Sequence, residues 1–378
     1  MSGIEVAASV FLDGIDTSDD VVAICGLVDD LFTNRRSLDA TADPATITAA
    51  RRTLVEHDVW GLLADEANGN EVQRLMLVLA AVERLARVWP ALALSLLQSS
   101  TAASLLDRLG ATPDLVSEVV EGRPVALVNV MSRGVALQWS DDGSELTAEK
   151  PGVGVQGQVL RLDPCGDAAV VLVDAARGRV AVVTDTAKWN VTPRRTTGLT
   201  GAATTTVEVS CSPEQIQLVP VPAHEAERLM VVQNVGLAVI ACAVASTAAE
   251  ATARYVGERV QFGRVLAQFP AVRDARDRAE VALARAVLVV RECVRQLGDP
   301  RARVARIEWS LPSVFADCLF VGDTAVQLHG GYGYLEEYGV ERCLRDIVSL
   351  RAKFDAGDVS KRDGRNTDHR TMKETSER

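Results

Sequence analysis

Aromatic residues are scarce in this 378-residue chain: five Trp, four Tyr and seven Phe, or 4% of the total. A sizeable core must therefore be built from Ala, Val and Leu, a composition that leans towards close-packed helices. Basic residues are also in the minority, with 40 Lys plus Arg against 51 Asp plus Glu and a formal charge of -11. That balance excludes a general nucleic-acid binder, whose phosphate contacts need a basic face, and leaves room only for a local cationic pocket. Metal-ligand spacing is missing too. Cys25, Cys165, Cys211, Cys242, Cys293, Cys318 and Cys343 lie far apart, with no CxxC or Cys/His pair, and read as reduced thiols of a cytosolic, cytoplasmic protein. The opening MSGIEVAASVFLDGIDTSDD has no basic region and turns acidic at once, unlike a secretory signal. The longest uncharged apolar run, Val235 to Ala249, is shorter than the ~20 residues of a membrane span, so a buried helix is expected there and no span.

What is present divides the chain by texture. Residues 1–123 are helical in pattern, with Leu75, Leu77, Leu79, Val82, Leu85 and Val88 as core positions, Pro90 as an interruption, and Thr112-Pro113 as the cap and first turn of another helix. Residues 124–222 carry short Val-rich runs at 125–130, 168–173, 180–183 and 204–209. Turn signals at Asp141-Asp142-Gly143, Asp163-Pro164-Cys165-Gly166 and Arg177-Gly178 separate them, which predicts an antiparallel sheet or small barrel. Residues 223–356 are helical again. No proline occurs from Ala223 to Arg259, a second long helix is predicted from about Pro270 to Leu297, and Pro300 and Pro312 punctuate shorter ones. Residues 357–378 have no aromatic and almost no apolar side chains and are expected to be a disordered tail.

Two stretches carry chemistry. The first is Tyr255-Val256-Gly257-Glu258-Arg259-Val260-Gln261-Phe262-Gly263, at the end of the proline-free run. An Arg there can serve the helix dipole, but Phe262-Gly263 beside it adds a flat apolar surface suited to a heteroaromatic ring joined to a phosphate. The second is Gln327-Leu328-His329-Gly330-Gly331-Tyr332-Gly333-Tyr334, whose glycines would let a pyrophosphate or ribose approach bare backbone. Alone, Gly-Gly-x-Gly is equally a tight interhelical turn, and no strand precedes it as a Rossmann unit would require. No Ser-His-Asp or Cys-His arrangement is evident.

Together, Arg259-x-Gln261-Phe262-Gly263, Gln327-x-x-Gly330-Gly331-x-Gly333-Tyr334-x-x-Glu337-Tyr338 and Glu341-Arg342-x-x-Arg345-Asp346 resemble the C-terminal helical domain of acyl-CoA dehydrogenase flavoproteins. The resemblance implies an α+β fold: an N-terminal α-helical domain, a middle antiparallel β-domain and a C-terminal four-helix bundle. It also implies an FAD shared across a subunit interface and an acyl-CoA substrate. A carboxylate base would remove the α-proton while hydride leaves for the flavin. On that basis Arg259 would contact the pyrophosphate, Gln261 and Phe262 the adenosine end, and Gln327 with Gly330, Gly331 and Gly333 the pyrophosphate and ribose.

The family pattern breaks in three places. Its flavin-contacting β-domain segments are replaced by Val128–Gly134 and Val155–Leu160, leaving only Thr197-Gly198-Leu199-Thr200-Gly201 similar to its later Gly-x-x-Gly segment. Its N-terminal glycine-rich turn is reduced to Leu62–Gly69. The usual position of the base, counted from Asp346, falls on Phe354, one residue before Asp355; the alternative family position, near the start of the long helix, falls within one residue of Glu227 when the helix is aligned on Gly236. These losses imply a homo- or hetero-oligomer in which another acyl-CoA dehydrogenase-like subunit supplies the missing half, with an electron acceptor left unidentified. The competing expectation is a non-catalytic paralogue that dimerises without flavin.

Overall fold

The computed structural model describes residues 19–32, 44–63, 70–129, 135–141, 143–144, 152–162, 166–175, 178–186, 189–298 and 309–357. The expected tail, apart from Gly357, lies outside them. Five helices come first: α1 (Asp19–Phe32), α2 (Pro44–Glu56), α3 (Glu71–Val88), α4 (Pro90–Arg108) and α5 (Pro113–Val120). A capping box starts α3, with Asn70 accepting from the Gln73 N–H at 3.1 Å and Gln73 accepting from the Asn70 N–H at 2.9 Å. Pro90 does separate α3 from α4, since it has no N–H to continue the ladder. Of the predicted core positions on α3, all but the half-buried Val88 are buried. Thr112 does not cap α5 with its side chain. It sits at φ 49°, far from the extended backbone a capping side chain requires.

Eight strands follow: β1 (Val125–Asn129), β2 (Val135–Trp139), β3 (Val155–Leu162), β4 (Ala168–Ala175), β5 (Gly178–Asp185), β6 (Asn190–Pro193), β7 (Thr205–Cys211) and β8 (Ile216–Val221). They form two sheets, ordered β1-β4-β5-β8 and β2-β3-β7-β6. Pairing is antiparallel except between β1 and β4, where the chain has crossed to the other sheet for β2 and β3 and returned in its original direction. Trp139, Trp189, Val159, Val171, Val182 and Val207 fill one apolar cluster of this β-domain. The outer side of the first sheet packs on α4, α5 and the start of the next helix through Leu105, Leu115, Val170, Leu172 and Leu229.

The chain then forms α6 (Ala223–Glu258), the short hairpin β9 (Val260–Gln261) and β10 (Arg264–Val265), α7 (Pro270–Leu297), α8 (Leu311–His329) and α9 (Val340–Gly357). Helices α6 to α9 pack on one another as a bundle. Their core does not stop there. Val78, Leu85 and Leu97 of the first helices and Val235, Ile240, Val290, Phe315 and Phe354 of the bundle belong to a single apolar cluster. Two stretches, Ala223–Glu258 and Leu311–Tyr334, are long and apolar enough to cross a membrane by length and composition, but 89% of the apolar window in the first is buried in protein.

Candidate functional site

Helix α6 ends at Arg259, whose extended backbone (φ -71°, ψ 118°) turns the chain into β9. Gln261 pairs with Arg264 across the hairpin, so Phe262 and Gly263 form a two-residue turn. Both have positive φ, 52° and 79°. Such turns favour Asn, Asp or Gly at their first position, and a bulky residue there is strained. Phe262 is nevertheless 93% exposed, with an edge contact to Phe269 at 6.4 Å between ring centroids. The ring is thus held in solvent at a cost in backbone strain that its one edge contact does not explain.

The Arg259 guanidinium lies 5.0 Å from the centroid of the Tyr332 ring and has no carboxylate partner among the described residues. It is thus available to an anion. Tyr332 belongs to the turn Gly330–Tyr334 after α8, which joins Arg259 to the second motif. The glycines there differ in cause. Gly330 has φ 59° and ψ -134°, a conformation for glycine alone, while a Cβ on Gly333 would stand 2.4 Å from the Val326 carbonyl oxygen. Gly331 faces open space and is required by neither backbone nor packing. Gln327 is exposed on the last turn of α8, its carbonyl accepting from the Gly330 N–H.

Behind the surface sits an aromatic clamp that sequence reasoning missed. Tyr255 stacks on His329 at 4.2 Å, meets Tyr338 edge-on at 5.7 Å and donates its hydroxyl to the His329 carbonyl oxygen at 3.3 Å. The Nδ1 of His329 lies 2.7 Å from the Ala325 carbonyl oxygen and so carries the proton. Burial lowers the pKa of this imidazole, outweighing that hydrogen bond, and His329 is a structural residue. A signal was available: the chain has only four tyrosines, Tyr255, Tyr332, Tyr334 and Tyr338, and all fall within the two motifs.

The candidate bases stand elsewhere. Glu227 is exposed on the second turn of α6 and has no partner among the described residues. Its neighbours are engaged: Arg108 pairs with Glu71 and Glu225, and Arg228 pairs with Glu71 at 3.1 Å. With Leu75, Thr101, Leu229 and Val232 this network surrounds a space of only about 20 Å³. Asp355, half-buried on α9, pairs with Arg351 at 2.8 Å. Phe354 is 3% exposed and stacks on Phe315 at 4.7 Å, so the usual family position for the base is given over to the bundle core.

Two family segments meet 147 residues apart. The Leu199 N–H donates to Asp346 Oδ1 at 2.5 Å, and Arg345 donates to the Thr197 carbonyl oxygen at 2.6 Å. Gly198 is needed there, because a Cβ would lie 2.2 Å from the Arg345 carbonyl oxygen. Residues 130–134 and 64–69, from the segments that depart from the family, lie outside the described residues, whereas Val155–Leu160 forms most of β3.

Comparison with known proteins bears on these elements. The family model "Acyl-CoA dehydrogenase, C-terminal domain" matches residues 226–353. A short-chain-specific acyl-CoA dehydrogenase of Megasphaera elsdenii is 35% identical over 115 residues, 30% of this chain and 30% of that protein. The chain thus aligns with about a third of the length of the curated relatives it matches. The fold is similar over more of its length. Butyryl-CoA dehydrogenase from Megasphaera elsdenii superposes with a TM-score of 0.73 at 20% identity, covering 91% of this chain and 97% of that one. Glutaryl-CoA dehydrogenase from Mycobacterium smegmatis in complex with FADH2 gives 0.75 at 13% identity, covering 92% and 95%. Residues 226–353 therefore match the C-terminal domain of the acyl-CoA dehydrogenase family, and the chain as a whole has a fold similar to that of solved acyl-CoA dehydrogenases.

Proposed function

We propose that this chain is a subunit of an FAD-dependent oxidoreductase that introduces an α,β double bond into an acyl-CoA thioester, and that it holds the ADP half of the cofactor for a partner subunit. The single observation that carries this reading is Phe262, strained at φ 52° and 93% exposed beside the guanidinium of Arg259. These residues fit the group. Arg259 would take the pyrophosphate, Gln261 and Phe262 the adenosine end, and Gln327, Gly330, Gly331 and Gly333 the pyrophosphate and ribose, with Gly331 leaving backbone uncovered. Bound FAD supplies a hydride acceptor for the β-carbon. The carboxylate of Glu227, having no described cation to hold it, takes the α-proton, and Asp355 stands second because Arg351 already occupies it.

The filled space beneath the start of α6 favours a bulky acyl group being housed by the partner, and would equally suit a chain that does no chemistry. The visible spectrum separates the two. The chain should purify nearly colourless alone and with flavin absorbance when co-produced with its acyl-CoA dehydrogenase-like partner, whereas a colourless mixture would sink the flavoprotein reading. In the coloured assembly, Glu227→Gln should slow bleaching by acyl-CoA by roughly two to four orders of magnitude. An unchanged rate would move the base to Asp355 or to the partner.

A further inference from the structure

The backbone of Arg259 is tied on both sides. Its N–H donates to the Tyr255 carbonyl oxygen at 2.9 Å, and its carbonyl oxygen accepts from the Leu266 N–H at 2.8 Å. The half-buried side chain is held by different means, since the guanidinium carbon lies 5.0 Å from the centroid of the Tyr332 ring. A cation within ~6 Å of a ring centroid is attracted to the ring. Such a ring leaves the charge whole and the in-plane N–H groups free, whereas a carboxylate would hold the same arginine firmly and neutralise it.

Tyr332 is itself held by rings. It is tilted against Tyr338 at 5.3 Å and against Tyr255 at 6.5 Å, and Tyr255 stands one helical turn before Arg259. The Tyr332 carbonyl oxygen accepts from the Leu335 N–H at 3.1 Å, which fixes the turn around it. Its hydroxyl, by contrast, has no hydrogen-bond partner among the described residues, so its surroundings use the ring and not the polar tip. The guanidinium is felt across this cluster: burial raises the pKa of the Tyr255 hydroxyl, and the Arg259 charge opposes the rise.

We propose that Tyr332 is a positioning residue for the ADP half of the cofactor: its ring orders the Arg259 guanidinium while leaving the full charge and the in-plane N–H groups to a diphosphate. This role rests on the proposed assignment of the pyrophosphate to Arg259, and adds to it a residue that acts through that arginine. A free arginine side chain loses much of its freedom on taking an anion, and one already held against a ring loses less, so affinity is gained from order without a new contact to the ligand. Tyr332 also shares its turn with Gly330, Gly331 and Gly333. Its contact with Arg259 therefore keeps the two motifs of the ADP site at a fixed separation.

The test is titration calorimetry of ADP on the full chain. ADP should bind, and Arg259→Gln should weaken it by at least about tenfold. Tyr332→Leu and Tyr332→Gln should each weaken it by about three- to fivefold, while Tyr332→Phe, which keeps the ring, should stay within about twofold of the wild type. In Arg259→Gln/Tyr332→Leu the loss should equal that of Arg259→Gln alone, because a residue acting through Arg259 then has nothing to act on. Tyr332 is 38% exposed, and the paired apolar and polar variants, each checked by thermal unfolding, guard against a fold defect in either. Losses that add in the double variant, or a Phe variant as weak as the Leu one, would overturn the role of Tyr332 and leave Arg259 as the diphosphate ligand. ADP binding that ignores Arg259→Gln, or that is absent at about 5 mM, would instead overturn the assignment of Arg259 and the role of Tyr332 with it.

Discussion

At Phe262 backbone stability and the proposed flavin contact make opposite demands on the residue. A bulky residue at positive φ costs about 1–3 kcal/mol, whereas Asn is preferred at that position of a two-residue hairpin turn. Phe262→Asn should therefore hold or raise the unfolding temperature while removing flavin retention by the assembled protein. A variant that loses both would mean that the ring serves packing on Phe269 and nothing more. The glycines permit a similar separation. Gly333→Ala should destabilise the chain, since its Cβ meets the Val326 carbonyl at 2.4 Å, but Gly331→Ala should fold normally and weaken only flavin retention. Thermal unfolding and the ratio of flavin to protein absorbance read both. The residue types at this surface were legible in sequence because motif spacing marks them. Their division of labour was not, since bare backbone and filled backbone are both written Gly.

Among the elements, the α6 and α7 boundaries were legible because proline, apolar periodicity and absent breakers act locally. The parallel β1–β4 pair was not, because it depends on how the chain returns across two sheets. Nor was the joint between α9 and the loop after β6. Burial is the leading influence on Asp346 there and raises its pKa to about 6, against the opposing Leu199 N–H, Arg342 and Arg345. The folded state then binds more protons than the unfolded one between roughly pH 4 and 6, so this residue's contribution to stability falls as pH rises through that window. His329, with its lowered pKa, acts in the opposite sense because acid must charge a buried imidazole. The readable quantity is therefore the difference between the wild type and Asp346→Asn, whose side-chain oxygen can still accept from Leu199. The variant should gain on the wild type as pH rises from about 4.5 to 7. Parallel unfolding temperatures across that range would show that Asp346 carries no burial cost.

For the whole molecule, the family-model match ends where the physical unit does not. Residues 226–353 contain both candidate flavin motifs and nearly all of α6 to α9. Yet the apolar side chains of α6 are buried on two fronts, against α7, α8 and α9 and against α3 and α4. Gly236 marks the second contact: a Cβ there would come within 2.5 Å of the Leu97 methyl groups. Gln233 also donates to the Thr101 hydroxyl of α4. Removing residues 1–222 would bare a continuous face including Val235 and Val239, at about 25 cal/mol for each Å² returned to water. Protein stability is only about 5–15 kcal/mol in all, so the loss of one helix face can exceed it. A chain of residues 223–357 should therefore show helical circular dichroism without a cooperative thermal transition, whereas the full chain should melt its α3–α4 and α6–α9 parts together. A sharp transition in the fragment would instead establish the bundle as a self-sufficient domain, and would confine the function of the first helices to the β-domain and the partner.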